Sequence, residues 1–136
     1  MKKIIGPVIL LMFLFLAGCS FQKPGQIKII DAKMAASVDE KLMPQRVTSE
    51  FPQGTTKVFC WLSWKNATVN TPVIAKWHYI TDDVHILDYT INIPRKEGTG
   101  SISLVMPEGK PLPTGQYKVE LFSGKRLLKT ITFNIR

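Results

Sequence analysis

The chain has 136 residues, 45% of them hydrophobic and 21% charged, with a formal net charge of +8. That length suits one domain with a core that needs no covalent staples. Internal repeats are absent and no low-complexity segment follows residue 18, which excludes solenoid and repeat-array architectures.

Lys2 and Lys3 open the chain, and Ile4 to Leu16 is an apolar run interrupted only by Gly6 and Pro7. A spanning helix needs about 20 apolar residues, whereas this run is shorter and ends in the small pair Ala17-Gly18. Leu16-Ala17-Gly18-Cys19 resembles the lipobox of bacterial lipoproteins. The resemblance implies that residues 1–18 are a signal peptide and that Cys19 carries a diacylglycerol. In diderm bacteria a further fatty acyl chain such as palmitate would sit on the new amino terminus. Ser20 after the cysteine implies an outer-membrane lipoprotein facing the periplasm or the surface, or a plasma-membrane one in a monoderm host. An uncleaved anchor and an ordinary secretory cut are the competing readings. Residues 19–26, with Pro24-Gly25, read as a lipidated tether reaching roughly 25 Å when extended.

Without Lys2 and Lys3 the formal charge falls to +6, which favours a lipid bilayer or another anionic envelope component as partner. Export disfavours nucleic acid. A merely solubilising surface explains the charge equally well, since no basic run exceeds two residues. With Cys19 committed to lipid, Cys60 has no partner and no internal disulfide is expected.

Residues 27–136 read as the folded domain. Ile27 to Met34 predicts a first strand, and Ala35 to Gln45 a mixed segment with a short helical turn around Val38 to Leu42. Phe51 is a candidate plug at an edge, before a turn at Gln53-Gly54. Thr56 to Lys65 places Val58, Cys60, Leu62 and Trp64 on one face and Lys57, Phe59, Trp61, Ser63 and Lys65 on the other, and this second face either packs under the Ala35 to Phe51 segment or forms a partner-binding patch. Val73, Ala75, Trp77 and Tyr79 make the inward face of the next strand. A turn at Thr81-Asp82-Asp83 leads to a return strand over Val84 to Ile93 with Leu87, Tyr89, Ile91 and Ile93 aligned.

Arg95 to Gly100 reads as a charged loop, and Ser101 to Met106 as a strand with Ile102, Leu104 and Met106 inward. Pro107 to Gly115 is a rigid connection. Tyr117, Val119 and Leu121, then Ile131, Phe133 and Ile135, predict a closing hairpin around Ser123-Gly124-Lys125. About seven short strands with almost no helix read as an all-β antiparallel sandwich.

The run Leu112-Pro113-Thr114-Gly115-Gln116-Tyr117-Lys118-Val119-Glu120-Leu121, with Gly124 and the closing Phe133-Asn134-Ile135, resembles the last strands of bacterial immunoglobulin-like domains. So does Trp77, in a strand after an aromatic-rich one. The resemblance implies an immunoglobulin-like β-sandwich and a tyrosine corner at Tyr117, and it specifies a fold without a function.

Three functions compete. A non-catalytic binding or envelope-assembly role would use Phe59, Trp61, Lys57 and Lys65, aromatics interleaved with lysines, or the Arg95 to Gly100 loop, to bind an envelope protein. Zinc or copper binding would use His78 and His85 with Asp83; a two-residue Asp82-Asp83 turn would set the two imidazoles diagonally about 7 Å apart. A thiol-dependent hydrolase would need Cys60 beside a base, yet Cys60 points inward and both histidines outward. No paired carboxylates or phosphate loop emerge, so no enzyme and no cofactor beyond the covalent lipid are expected.

Overall fold

The period-two patterns are realised as nine strands, β1 (Lys28–Val38), β2 (Pro44–Val47), β3 (Glu50–Phe51), β4 (Lys57–Lys65), β5 (Thr71–Tyr79), β6 (Val84–Ile93), β7 (Gly98–Val105), β8 (Gly115–Ser123) and β9 (Arg126–Ile135). The computed structural model describes residues 26–136; the signal peptide 1–18, the lipidation at Cys19 and the tether up to Gly25 lie outside the described residues. A four-stranded sheet in the order β2-β1-β4-β7 faces a five-stranded sheet in the order β3-β9-β8-β5-β6. All pairings are antiparallel except β3 with β9. The only helical element among the described residues is a 3-10 turn at Pro107–Gly109.

The interior forms where the predicted inward faces meet. Val58, Cys60, Leu62 and Trp64 of β4 are buried against Val73, Ala75 and Trp77 of β5, Tyr117, Val119 and Leu121 of β8, and Phe133 and Ile135 of β9. Burying each large side chain removes enough apolar surface to contribute about 1.5–3 kcal/mol. Tyr117 and Phe133 stack with centroids 4.9 Å apart, and Trp77 meets Phe133 edge-on at 6.2 Å. The Tyr117 hydroxyl donates to the Pro113 carbonyl, closing the expected tyrosine corner. Val119, two residues further, holds the place of the second cysteine in antibody domains, so apolar packing substitutes for a disulfide. A Cβ at Gly98 or Gly100 would lie 3.2–3.3 Å from the Trp64 ring, so these glycines let the ring pack closely against β7.

Several expectations are corrected. The first strand runs on to Val38, and residues 39–43 form a tight turn instead of a helical one. The Asp39 carboxylate accepts from the amides of Lys41 and Met43, both at 2.9 Å, and this Asx-type capping reverses the chain into β2. The strand count rises from seven to nine because β2 is mostly polar and β3 has two residues, too short for periodicity to register. Gly98 to Gly100 pair with Trp64, Ser63 and Leu62, so the predicted loop ends at Glu97 and β7 begins there.

Candidate functional site

The outer face of β4 divides its two aromatic residues. Trp61 retains 6% of its exposure, and its indole N–H donates to the Leu42 carbonyl at 2.7 Å, so the β1–β2 turn covers it. Phe59 is half-buried under Lys57, whose Nζ lies 4.8 Å above the ring. Cover by the Ala35 to Phe51 segment therefore holds for Trp61, and Lys57, Phe59, Trp61 and Lys65 do not form one continuous open surface. Trp61 needed a partner for its N–H, and the nearby turn supplies one.

At the β5–β6 hairpin the turn spans residues 80–83 instead of two, and a bulge between Trp77 and His78 sets His78 directly opposite His85. The two imidazoles engage different carboxylates. His78 Nε2 lies 3.0 Å from Asp83 Oδ1, and His85 Nε2 lies 3.1 Å from Asp88 Oδ1. Among the described residues no three His, Cys, Asp or Glu side chains come together to hold a metal ion. The diagonal pair expected for zinc or copper is replaced by a directly opposed one, and the metal reading fails because each imidazole engages its own carboxylate and no third ligand is shared among the described residues.

Cys60 is fully buried, and loss of solvation pushes its thiol up to about 12, so it stays protonated at neutral pH. A nucleophilic thiolate needs the opposite environment.

The surface that sequence reasoning missed is the flank of β6. This strand closes the five-stranded sheet and among the described residues pairs only with β5, leaving its outer backbone edge of ten residues unpaired by them. Leu87 and Tyr89 share a face with Ile91 and Ile93, as expected, but they are 37% and 54% exposed because the four-stranded sheet ends at β7 and does not cover them. Beyond the bulge, Ile86 takes up the inward role and packs against the core. It lines an open slot of about 380 Å³ with Tyr79, Val84, Met106, Leu112 and Tyr117. Tyr79 and Tyr117 meet edge-on at 4.8 Å, and both hydroxyls are used on the corner, Tyr79 donating to Thr114 and Tyr117 to Pro113. The slot is consequently apolar, with His85 and Asp82 at its rim. The available sequence signal was β6 itself, which lacks the Lys and Pro that commonly blunt edge strands.

No protein-family model matches the sequence, and no curated protein matches it. The fold is similar to the crystal structure of an immunoglobulin-like protein from Pseudomonas aeruginosa, with a TM-score of 0.58 and 17% identity over 84% of this chain and 99% of that one. An alkylpurine DNA glycosylase from Pseudomonas fluorescens matches with a TM-score of 0.47 and 12% identity, covering 81% of this chain and 30% of the enzyme. A Niemann-Pick type C2 protein from the Japanese carpenter ant matches at 0.44 and 11%, covering 81% of this chain and 92% of that one. The corner at Tyr117, the central Trp77 and the first of these likenesses agree that the domain is an immunoglobulin-like β-sandwich.

Proposed function

We propose that the protein is a lipoprotein anchored through Cys19, a non-catalytic binding domain that captures an extended segment of another envelope protein along β6. It would face the periplasm or the surface from the outer membrane, or stand on the plasma membrane of a monoderm host. The observation that carries the reading is that β6 is unpaired along its outer edge while Val84, Leu87 and Tyr89 stand exposed beside the apolar slot. A row of N–H and C=O groups at strand spacing is satisfied by another extended backbone, and the partner's alternate side chains are placed to fill the slot. The single carboxylate on the strand, Asp88, is already engaged by His85, so an added chain meets little unpaired charge there. The buried, protonated thiol supports a role without chemistry.

The test is photo-crosslinking in intact cells with a benzoyl-phenylalanine at Tyr89, compared with the same group at Ile30, which is 57% exposed on β1. The Tyr89 position should yield one discrete adduct and the Ile30 position none. A peptide from the partner's crosslinked segment should then bind the purified domain. Adducts from β1 alone, or a peptide that does not bind, would refute strand addition at β6. The anchor is tested separately: Cys19→Ala should release the protein from membranes.

A further inference from the structure

The two ends of the sandwich differ in charge. β1 leaves Gln26 at one end and runs to Asp39 at the other, so loops can be assigned to ends by register. At the Gln26 end, hydrogen bonds tie three loops and the entering chain into one platform. Asn66 Nδ2 donates to the Gln26 carbonyl at 2.9 Å, the Ala67 amide donates to Lys96 at 2.9 Å, and Trp64 Nε1 donates to Arg95 at 3.1 Å. Arg126 Nη2 donates to the Ile27 carbonyl at 2.8 Å, which pins the entering chain to the start of β9.

This platform carries Lys28, Lys65, Arg95, Lys96, Lys125 and Arg126, all exposed, with Glu97 as its lone acid. None of the six takes part in an ion pair among the described residues. At the opposite end the turns carry Asp39, Glu40, Asp82, Asp83 and Glu108 against Lys41 and Lys110, so the acids outnumber the cations there. Val69, 58% exposed in the 66–70 loop, projects among the cations.

We infer that this basic end is a docking surface for an anionic phospholipid bilayer, and that it holds the sandwich end-on with its acidic turns pointing away. The inference takes its setting from the Cys19 anchor proposed above. Residues 19–25 can span at most roughly 25 Å, so an anchored domain keeps its basic end near the headgroup charge. Tether exit and cation cluster coincide, so one orientation satisfies both. The same orientation runs β6 along the membrane normal, leaving its edge open from the side.

Among the described residues the core lies entirely within 26–136, so the chain from Ser20 onward, without Cys19 or lipid, is used as the probe once circular dichroism shows it folded. It is sedimented with vesicles of phosphatidylcholine and phosphatidylglycerol at 3:1, and with phosphatidylcholine alone. Binding should require phosphatidylglycerol and fade as salt is raised. The variant Lys65→Glu/Lys96→Glu/Lys125→Glu should bind at least roughly tenfold more weakly. Its charge-matched counterpart at the other end, Lys41→Glu/Lys57→Glu/Lys110→Glu, should stay within about twofold. Circular dichroism checks the fold, and Lys65→Gln/Lys96→Gln/Lys125→Gln repeats the test if the glutamates disturb it. Equal losses in the two triple variants would reduce the effect to net charge and overturn the inference. So would equal binding to neutral vesicles, or none to anionic ones. Because lipid is absent from this probe, an unmodified Cys19 in the native protein would defeat the anchor without touching the vesicle result.

Discussion

The two flanks of the sandwich are finished differently. On one, the two-residue strand β3 pairs in parallel with β9, and Phe51 turns inward to meet Phe133 edge-on at 5.8 Å. Glu50 and Arg136 form an ion pair over this seam. On the other, β6 lies at the border with Leu87 and Tyr89 uncovered and, among the described residues, no strand on its outer side. Comparable apolar side chains are structural on the first flank and available on the second, because only the first is closed by a segment returning from elsewhere in the chain.

Four measurements would break or sharpen that contrast. Phe51→Ala should open the closed flank and cost about 3–5 kcal/mol in urea unfolding, as large-to-small changes in a core do. Gly115→Ala should cost about 1–3 kcal/mol, because Gly115 has φ +141° and a Cβ there would lie 2.6 Å from the Tyr79 hydroxyl and from Thr81 Oγ1. Tyr117→Phe should cost about 1 kcal/mol by removing one bond to the Pro113 corner while preserving the stack on Phe133. Leu87→Ser with Tyr89→Ser should change stability by less than about 0.5 kcal/mol each while abolishing binding of the partner peptide to the purified domain. A large loss from the last pair would make the open flank structural and end the contrast.

Alkali probes the interior that both flanks share. Burial raises Cys60 from 9.0 to about 12, and burial together with neighbouring Tyr79 raises Tyr117 from 10.0 to about 12. Both groups lose protons more readily when unfolded, so the native state binds more protons above pH 9 and stability falls as pH rises. Their contribution should be intact below about pH 9 and lost progressively up to about pH 12, read as a falling urea midpoint. A disulfide-exchange reagent at pH 8 should label Cys60 only at the rate of unfolding.

Much of the fold was legible along the chain. In β4, β5, β8 and β9 the alternation is local, and its inward sets are the buried sets apart from the half-buried Tyr79 and Ile131. The corner at Tyr117 was legible too, because a hydroxyl four residues from its acceptor is a short-range event. The site was not. Strand parity left Trp61 either covered by the Ala35 to Phe51 segment or open, and a turn nineteen residues away in sequence decides for cover, while Tyr89, read as aligned with Ile91 and Ile93, is bared by a sheet that stops one strand short. The histidines were misjudged for a similar reason, since one bulged residue replaced a diagonal pair with a direct one.

What the sequence determined by itself was the class of structure and the inward residues of the central strands. These depend on alternation and short motifs, whose physical causes act over a few residues. Tertiary structure alone decided which aromatics are exposed, that His78 and His85 each keep a separate carboxylate, and that six scattered cations share one end with Gln26. Those outcomes depend on where each sheet ends and which loops meet, and long-range strand pairing sets both.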